Sequence, residues 1–123
     1  MDTNTFKSAY SEFRNGANEF YKHWAQESFH YSDGVKACAD AGCHWLLDVA
    51  ATELPAVLKD KDEMLGCLHV SVQDSSAKLY MTGGADKVLW ERSVPYTDMP
   101  DGEWMFYVAD ELYRRAMILP SEY

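Results

Sequence analysis

Apolar and polar positions follow two different rhythms, and the change falls near residue 63. Before it the spacing is close to a helical repeat. Phe6, Tyr10 and Phe13 fall at i, i+4 and i+7, one face of a helix. Asp2 or Thr3 supplies its cap, and Asn15-Gly16 its stop. The segment 17–26 groups Phe20, Tyr21 and Trp24 and reads as a short helix or an ordered loop. Ser32-Asp33-Gly34 opens a helix over 35–41, because Ser or Asp accepts a free backbone N–H at the N-cap. Gly42 ends it, being suited to a left-handed C-terminal position. A core helix over about 43–53 follows, with Trp45 and Val49 on one side and Leu46 and Ala50 beside them. Trp45 and Leu46 are expected to be buried. Pro55 either sits in the first turn of a further short helix or ends this one.

From residue 64 the period is 2. Leu65 to Val72, Lys78 to Met81, Val88 to Val94 and Trp104 to Val108 read as strands, bounded by Asp74-Ser75-Ser76, Gly83-Gly84 and the 98–102 turn. Gly83-Gly84 reads as a hairpin turn that uses glycine's access to positive φ. Asp110 to Arg115 fits a helical turn or a hairpin loop, and 116–119 fits a closing strand. The predicted class is α+β: N-terminal helices packed on one face of a four- or five-stranded antiparallel meander. At 123 residues the chain is expected to form one domain, 1–63 mainly helical and 64–123 mainly strands.

Composition narrows the function classes. Hydrophobic residues make up 47% of the chain, enough for a real core. No apolar run approaches the ~18 residues of a membrane span. The start, Met1 to Phe6, lacks the cationic and apolar regions of a signal peptide, which points to the cytoplasm. Cys38, Cys43 and Cys67 make an odd count, as expected of free thiols in a reducing compartment. The net charge of −9 repels nucleic acid and anionic lipid and attracts basic surfaces. Direct nucleic-acid or membrane binding is therefore not expected.

Candidate chemistry is sparse. Cys38, Cys43 and His44, with His30 upstream, lack the paired C-x2-C spacing of a zinc frame, so buried thiols are the preferred reading. Cys43 or Cys67 with His23, His30, His44 or His69 would make a nucleophile pair only if the fold brought thiol and base together. Asp98, Asp101, Glu103, Asp110 and Glu111 form an acidic stretch without the spacing of a calcium loop. They read as a solvated rim or as an electronegative patch that meets a basic protein. The aromatics read mainly as core, with one or two left over as interface anchors.

Several blocks carry a family resemblance: Phe20-Tyr21-Lys22-His23, Tyr31 to Lys36, Ala41 to Asp48, Asp74 to Ala77, Pro95 to Asp98 and Leu119 to Tyr123. In this order they resemble a family of small uncharacterised proteins, a domain of unknown function, from bacterial, plasmid and phage genomes. The chain departs from that pattern in carrying Cys43-His44 where the pattern has Ala and Tyr. The resemblance implies no activity, no cofactor and no catalytic residue, only travel with mobile elements. The leading expectation is a non-enzymatic factor that binds a protein with a basic surface. Such a factor would serve a phage or plasmid as an inhibitor of a host nucleic-acid-handling or defence complex, CRISPR or restriction machinery being examples. A second reading is a small enzyme or ligand-binding domain with an aromatic-lined pocket between helices and sheet, where His23, Tyr31, Asp33 and Asp48 converge. A third is an oligomeric structural module.

Overall fold

The structure is a computed structural model that describes residues 3–12, 20–26, 28–97, 99–111 and 114–120. Its elements in chain order are α1 (Thr3–Glu12), β1 (Phe20–Lys22), β2 (Phe29–Ser32), α2 (Asp33–Cys38), α3 (His44–Asp60), β3 (Leu65–Gln73), β4 (Ser76–Thr82), β5 (Val88–Val94), β6 (Gly102–Glu111) and β7 (Arg114–Ile118). The strands make one seven-stranded sheet in the order β1-β2-β7-β6-β3-β4-β5.

This corrects the predicted meander of four or five strands. Strands β3 to β5 are joined by hairpins, but β6 returns to pair with β3 rather than β5. The spatial order β6-β3-β4-β5 is that of a Greek key. The return passes the β3–β4 turn, where the Thr97 N–H donates to the Ser75 carbonyl at 2.8 Å. Two further strands come from the first half of the chain. β1 occupies part of the segment read as a short helix or loop, and β2 runs parallel to β7. At three and four residues both are too short to show a period of their own. The Asp110–Arg115 ambiguity resolves to a hairpin register, with Asp110 opposite Arg115 and Glu111 opposite Arg114. The expected helix stop at Asn15-Gly16 lies outside the described residues.

Strand β3 sets the layering. Gly66, Leu68, Val70 and Val72 are buried, while Leu65, Cys67, His69 and Ser71 alternate onto a half-open face. The helices lie on the buried side. Phe6 and Tyr10 of α1 meet Trp104 edge-on, with ring centroids 5.0 and 5.2 Å apart. Leu58 of α3 packs so close to Gly66 that an added Cβ would lie 3.0 Å from its Cδ2, and 2.6 Å from Met81 Sδ.

The stripe of α3 that meets the sheet is Leu46, Leu47, Ala50, Ala51, Leu54, Pro55 and Leu58. Trp45 is only half-buried at its edge, so the expected stripe through Trp45 and Val49 is displaced by one residue. Neither reading of Pro55 holds, because the helix continues through it to Asp60. A mid-helix proline forfeits one hydrogen bond and clashes, at roughly 3 kcal/mol. Here its ring is itself part of the buried stripe, and the burial of that stripe offsets the loss. Gly42 meets the expected C-terminal role, at φ 132° within a wide turn that separates α2 from α3.

Three turns carry left-handed residues other than glycine, the first being Asp62 at φ 56° between α3 and β3. Asp74 and Ser75, at φ 53° and 65°, make the two-residue β3–β4 connection, with the positive φ of a type I′ turn at both positions. In the β4–β5 connection the positive φ falls on Ala85 and Asp86, not on Gly83-Gly84 as predicted. Gly83 is small for another reason: a Cβ there would lie 2.9 Å from both Glu63 Oε1 and Leu89 Cδ1.

Ser75→Gly is expected to stabilise the protein by about 0.5–1 kcal/mol, because it relieves a left-handed residue and leaves the carbonyl that holds Thr97 in place. Chemical denaturation checks this. A second expectation concerns Tyr10, whose hydroxyl accepts from the Met105 N–H at 3.1 Å and donates to the Met105 carbonyl at 3.0 Å. Burial raises the Tyr10 pKa above its ordinary value of 10.0. Its neutral form is the one the fold stabilises, so this stability is present below pH ~10 and is lost as pH rises through the folded pKa. Tyr10→Phe should cost about 1–3 kcal/mol at neutral pH, with the gap to the parent narrowing in alkali.

Candidate functional site

The loop that follows β1 is held to α3 by one buried histidine. His23 is 2% exposed, and its Nε2 lies 2.7 Å from Asp48 Oδ1. Its Nδ1 accepts the backbone N–H groups of Ala25 at 3.2 Å and Gln26 at 3.1 Å. Two donors facing Nδ1 place the ring proton on Nε2, aimed at the carboxylate. Both nitrogens are thereby occupied, and no lone pair remains to take a proton from a substrate. The arrangement has the residue types of a base and its orienting acid, yet its geometry is that of a structural clamp.

The same carboxylate holds a tryptophan. Trp24 Nε1 donates to Asp48 Oδ1 at 3.1 Å, and its ring lies 5.7 Å from that of His23. Trp24 is nevertheless 82% exposed, and Phe20 on β1 is 41% exposed. A large aromatic ring is thus fixed in orientation while most of its surface meets solvent. By sequence the aromatics read mainly as core, with one or two left over as interface anchors and none singled out. The signal that Trp24 faces outward is its setting between Lys22 and Gln26, with no apolar partner at strand spacing.

Of the four residues expected to converge in a pocket, the fold brings His23 and Asp48 together and sends the other two elsewhere. Tyr31 stacks on Tyr21 with centroids 5.8 Å apart, and the Lys36 ammonium sits 5.4 Å above the Tyr21 ring. Asp33 Oδ1 accepts the Gly34 N–H at the start of α2, beside the Ser32 hydroxyl that caps Val35. None of the four lines the cavity of about 300 Å³ that opens between α3 and the β2/β7 edge, where Phe29, Pro55, Lys59 and Arg115 form the walls.

The acidic stretch is divided by the strand it lies on. Asp101 and Glu103 are exposed at one end of β6, where Glu103 accepts from the Ser71 hydroxyl at 2.7 Å. Asp110 is seven residues further along the strand, roughly 24 Å away at the usual rise, and on the opposite face. It is paired with Arg115 at 2.7 Å, its side chain 10% exposed. Asp98 and the side chain of Glu111 lie outside the described residues.

Cys67 lies on β3 beside His69, apart from the other two thiols. Cys38 and Cys43 are buried, with Cys43 Sγ donating to the Cys38 carbonyl at 3.2 Å. His44 is exposed beside Asp40. Among the described residues no three His, Cys, Asp or Glu side chains are grouped to hold a metal ion. Burial pushes the Cys67 pKa up, and the charge of Asp86 pushes it the same way. None of the described helices is long and apolar enough to cross a membrane.

A model of DUF6876, described as a family of unknown function, matches residues 4–123. No curated protein and no solved structure matches the chain.

His23→Ala should lower stability by about 1–3 kcal/mol, since it strands two backbone N–H groups and removes the partner of Asp48. Equilibrium chemical denaturation of the variant against the parent reads the difference.

Proposed function

The chain belongs to DUF6876, a family of unknown function, and we propose that this member acts by binding another protein rather than by chemistry. The observation that carries the reading is Trp24, exposed yet fixed by Asp48 over a buried histidine. Tryptophan is among the side chains most enriched where binding energy concentrates. An anchor already held in one orientation avoids the roughly 0.5–1.5 kcal/mol lost when a free side chain is immobilised on binding. Its N–H is already bonded, so the contact it offers is the ring itself, suited to an apolar cleft. Asp48, 43% exposed beside it, favours a partner with a basic group at the rim of that cleft.

The net charge of −9 supports the same polarity of partner. Asp98, Asp101, Glu103, Asp110 and Glu111 contribute to the long-range field that steers association, and Trp24 makes the local contact. Inhibition of a host nucleic-acid-handling complex is the narrower form of this proposal, since surfaces that hold nucleic acid are basic.

The test is capture of partners from host lysate by the parent protein, by Trp24→Ala and by Tyr96→Ala. Tyr96 is a second exposed aromatic, at 74%. Loss of Trp24 should weaken the captured complex by about 30-fold while folding stability changes by less than about 0.5 kcal/mol. Tyr96→Ala should capture as the parent does. Equal capture by Trp24→Ala and the parent would overturn the assignment.

A further inference from the structure

The face of the sheet opposite the helices holds a cavity of about 560 Å³. Its floor is Cys67 and His69 of β3, Thr82 of β4, and Met105 and Tyr107 of β6. Glu63, Met64 and the Gly83–Asp86 loop form its rim. The volume lies in the range of small-molecule sites, which are roughly 300–1,000 Å³.

The floor is built rather than incidental. The His69 ring stacks on Tyr80 at 4.5 Å and 6°, and its Nε2 lies 3.2 Å from Thr82 Oγ1. Its plane is therefore set before anything enters. At the rim the Gly84 N–H donates to Glu63 Oε1 at 3.3 Å, and the absence of a side chain at Gly83 lets the loop close on that carboxylate. Asp86, the second acid, has a left-handed backbone at φ 57°. Its charge is felt at the Cys67 thiol, which it helps keep protonated, so the cavity floor lies within its field.

The lining carries two carboxylates and no lysine or arginine. Around them are a phenol, two thioethers and leucine, which accept apolar and aromatic surface and stabilise a nearby cation. Anions are repelled. We propose that this cavity binds a small organic cation, an ammonium group carried on an aromatic or aliphatic body. The ammonium lies between Glu63 and Asp86, and the body rests on Met105 and Tyr107.

The test uses tyramine against its neutral isostere 4-propylphenol, read by methionine methyl NMR. Met64 and Met105 line the cavity, whereas Met81 and Met117 are buried on other surfaces of the sheet and serve as internal references. Tyramine should shift the Met64 and Met105 methyls in a saturable way and leave the Met117 methyl unmoved. It should bind at least about tenfold more tightly than 4-propylphenol. The double variant Glu63→Gln, Asp86→Asn keeps an acceptor for Gly84 and a residue that tolerates the left-handed backbone. It should bring the two probes to the same affinity with an unchanged unfolding midpoint. No shift at Met105 up to about 10 mM tyramine, or equal affinity of the two probes for the parent protein, would overturn the proposal. The comparison of probes on the parent decides it even if the double variant does not fold.

Discussion

Burial of one face of β3 is the constraint on which the molecule depends. Gly66, Leu68, Val70 and Val72 must be covered, and at Gly66 the missing side chain lets Leu58 of α3 come close. From that contact the rest follows. Met81, Leu79 and Ala77 of β4 are in register with Leu68, Val70 and Val72, so the same layer continues across the sheet. On the other side Phe106 and Trp104 carry it to β6, where α1 packs. The opposite face is then left to residues of mixed character, and the cavity beneath Glu63 forms there.

Much of this was legible wherever an element carried its own period. β3 to β6 are long enough for alternation to declare them, and Ser32 and Gly42 punctuate α2 by their own backbone chemistry. What was not legible depended on partners far away in sequence. β1 and β2 exist because β7 offers an edge, a fact that no local window contains. The Greek-key return depends on Thr97 meeting the Asp74-Ser75 turn, whereas neighbour-to-neighbour pairing is the commoner arrangement. The choice between Trp45 and Leu46 as the centre of the α3 stripe is a rotation of about 100°, and the largest side chain was the wrong guide. Leucine and alanine allow the close approach that tryptophan would prevent.

The candidate site shows the same division. His23 and Asp48 are 25 residues apart and do meet, yet what matters is the third party, two backbone N–H groups that occupy the remaining nitrogen. Side-chain identity cannot reveal that. The acidic residues after 98 are adjacent in sequence, but a ten-residue strand sends them to both of its ends and both of its faces. Proximity along a chain becomes proximity in space within a loop or a helical turn, and is undone by an extended strand. Gly83-Gly84 was placed in the right turn with the wrong duty. Two left-handed residues there are alanine and aspartate, and the glycine at 83 makes room for a carboxylate.

Tyr10 bonds to both backbone groups of Met105, a residue 95 positions later. Beside it, β7 pairs with β6 only as far as Ile118 opposite Tyr107. The order of assembly is therefore unusual for so small a protein. During synthesis the first helix emerges long before the strand it must seal, and β2 waits nearly as long for β7. Neither end of the chain can reach its final place until almost all of it exists, so the sheet closes late. Loops that span nearly the whole sequence slow such closure. Until then α1 and the β1–β2 hairpin present apolar rings to whatever surrounds the nascent chain.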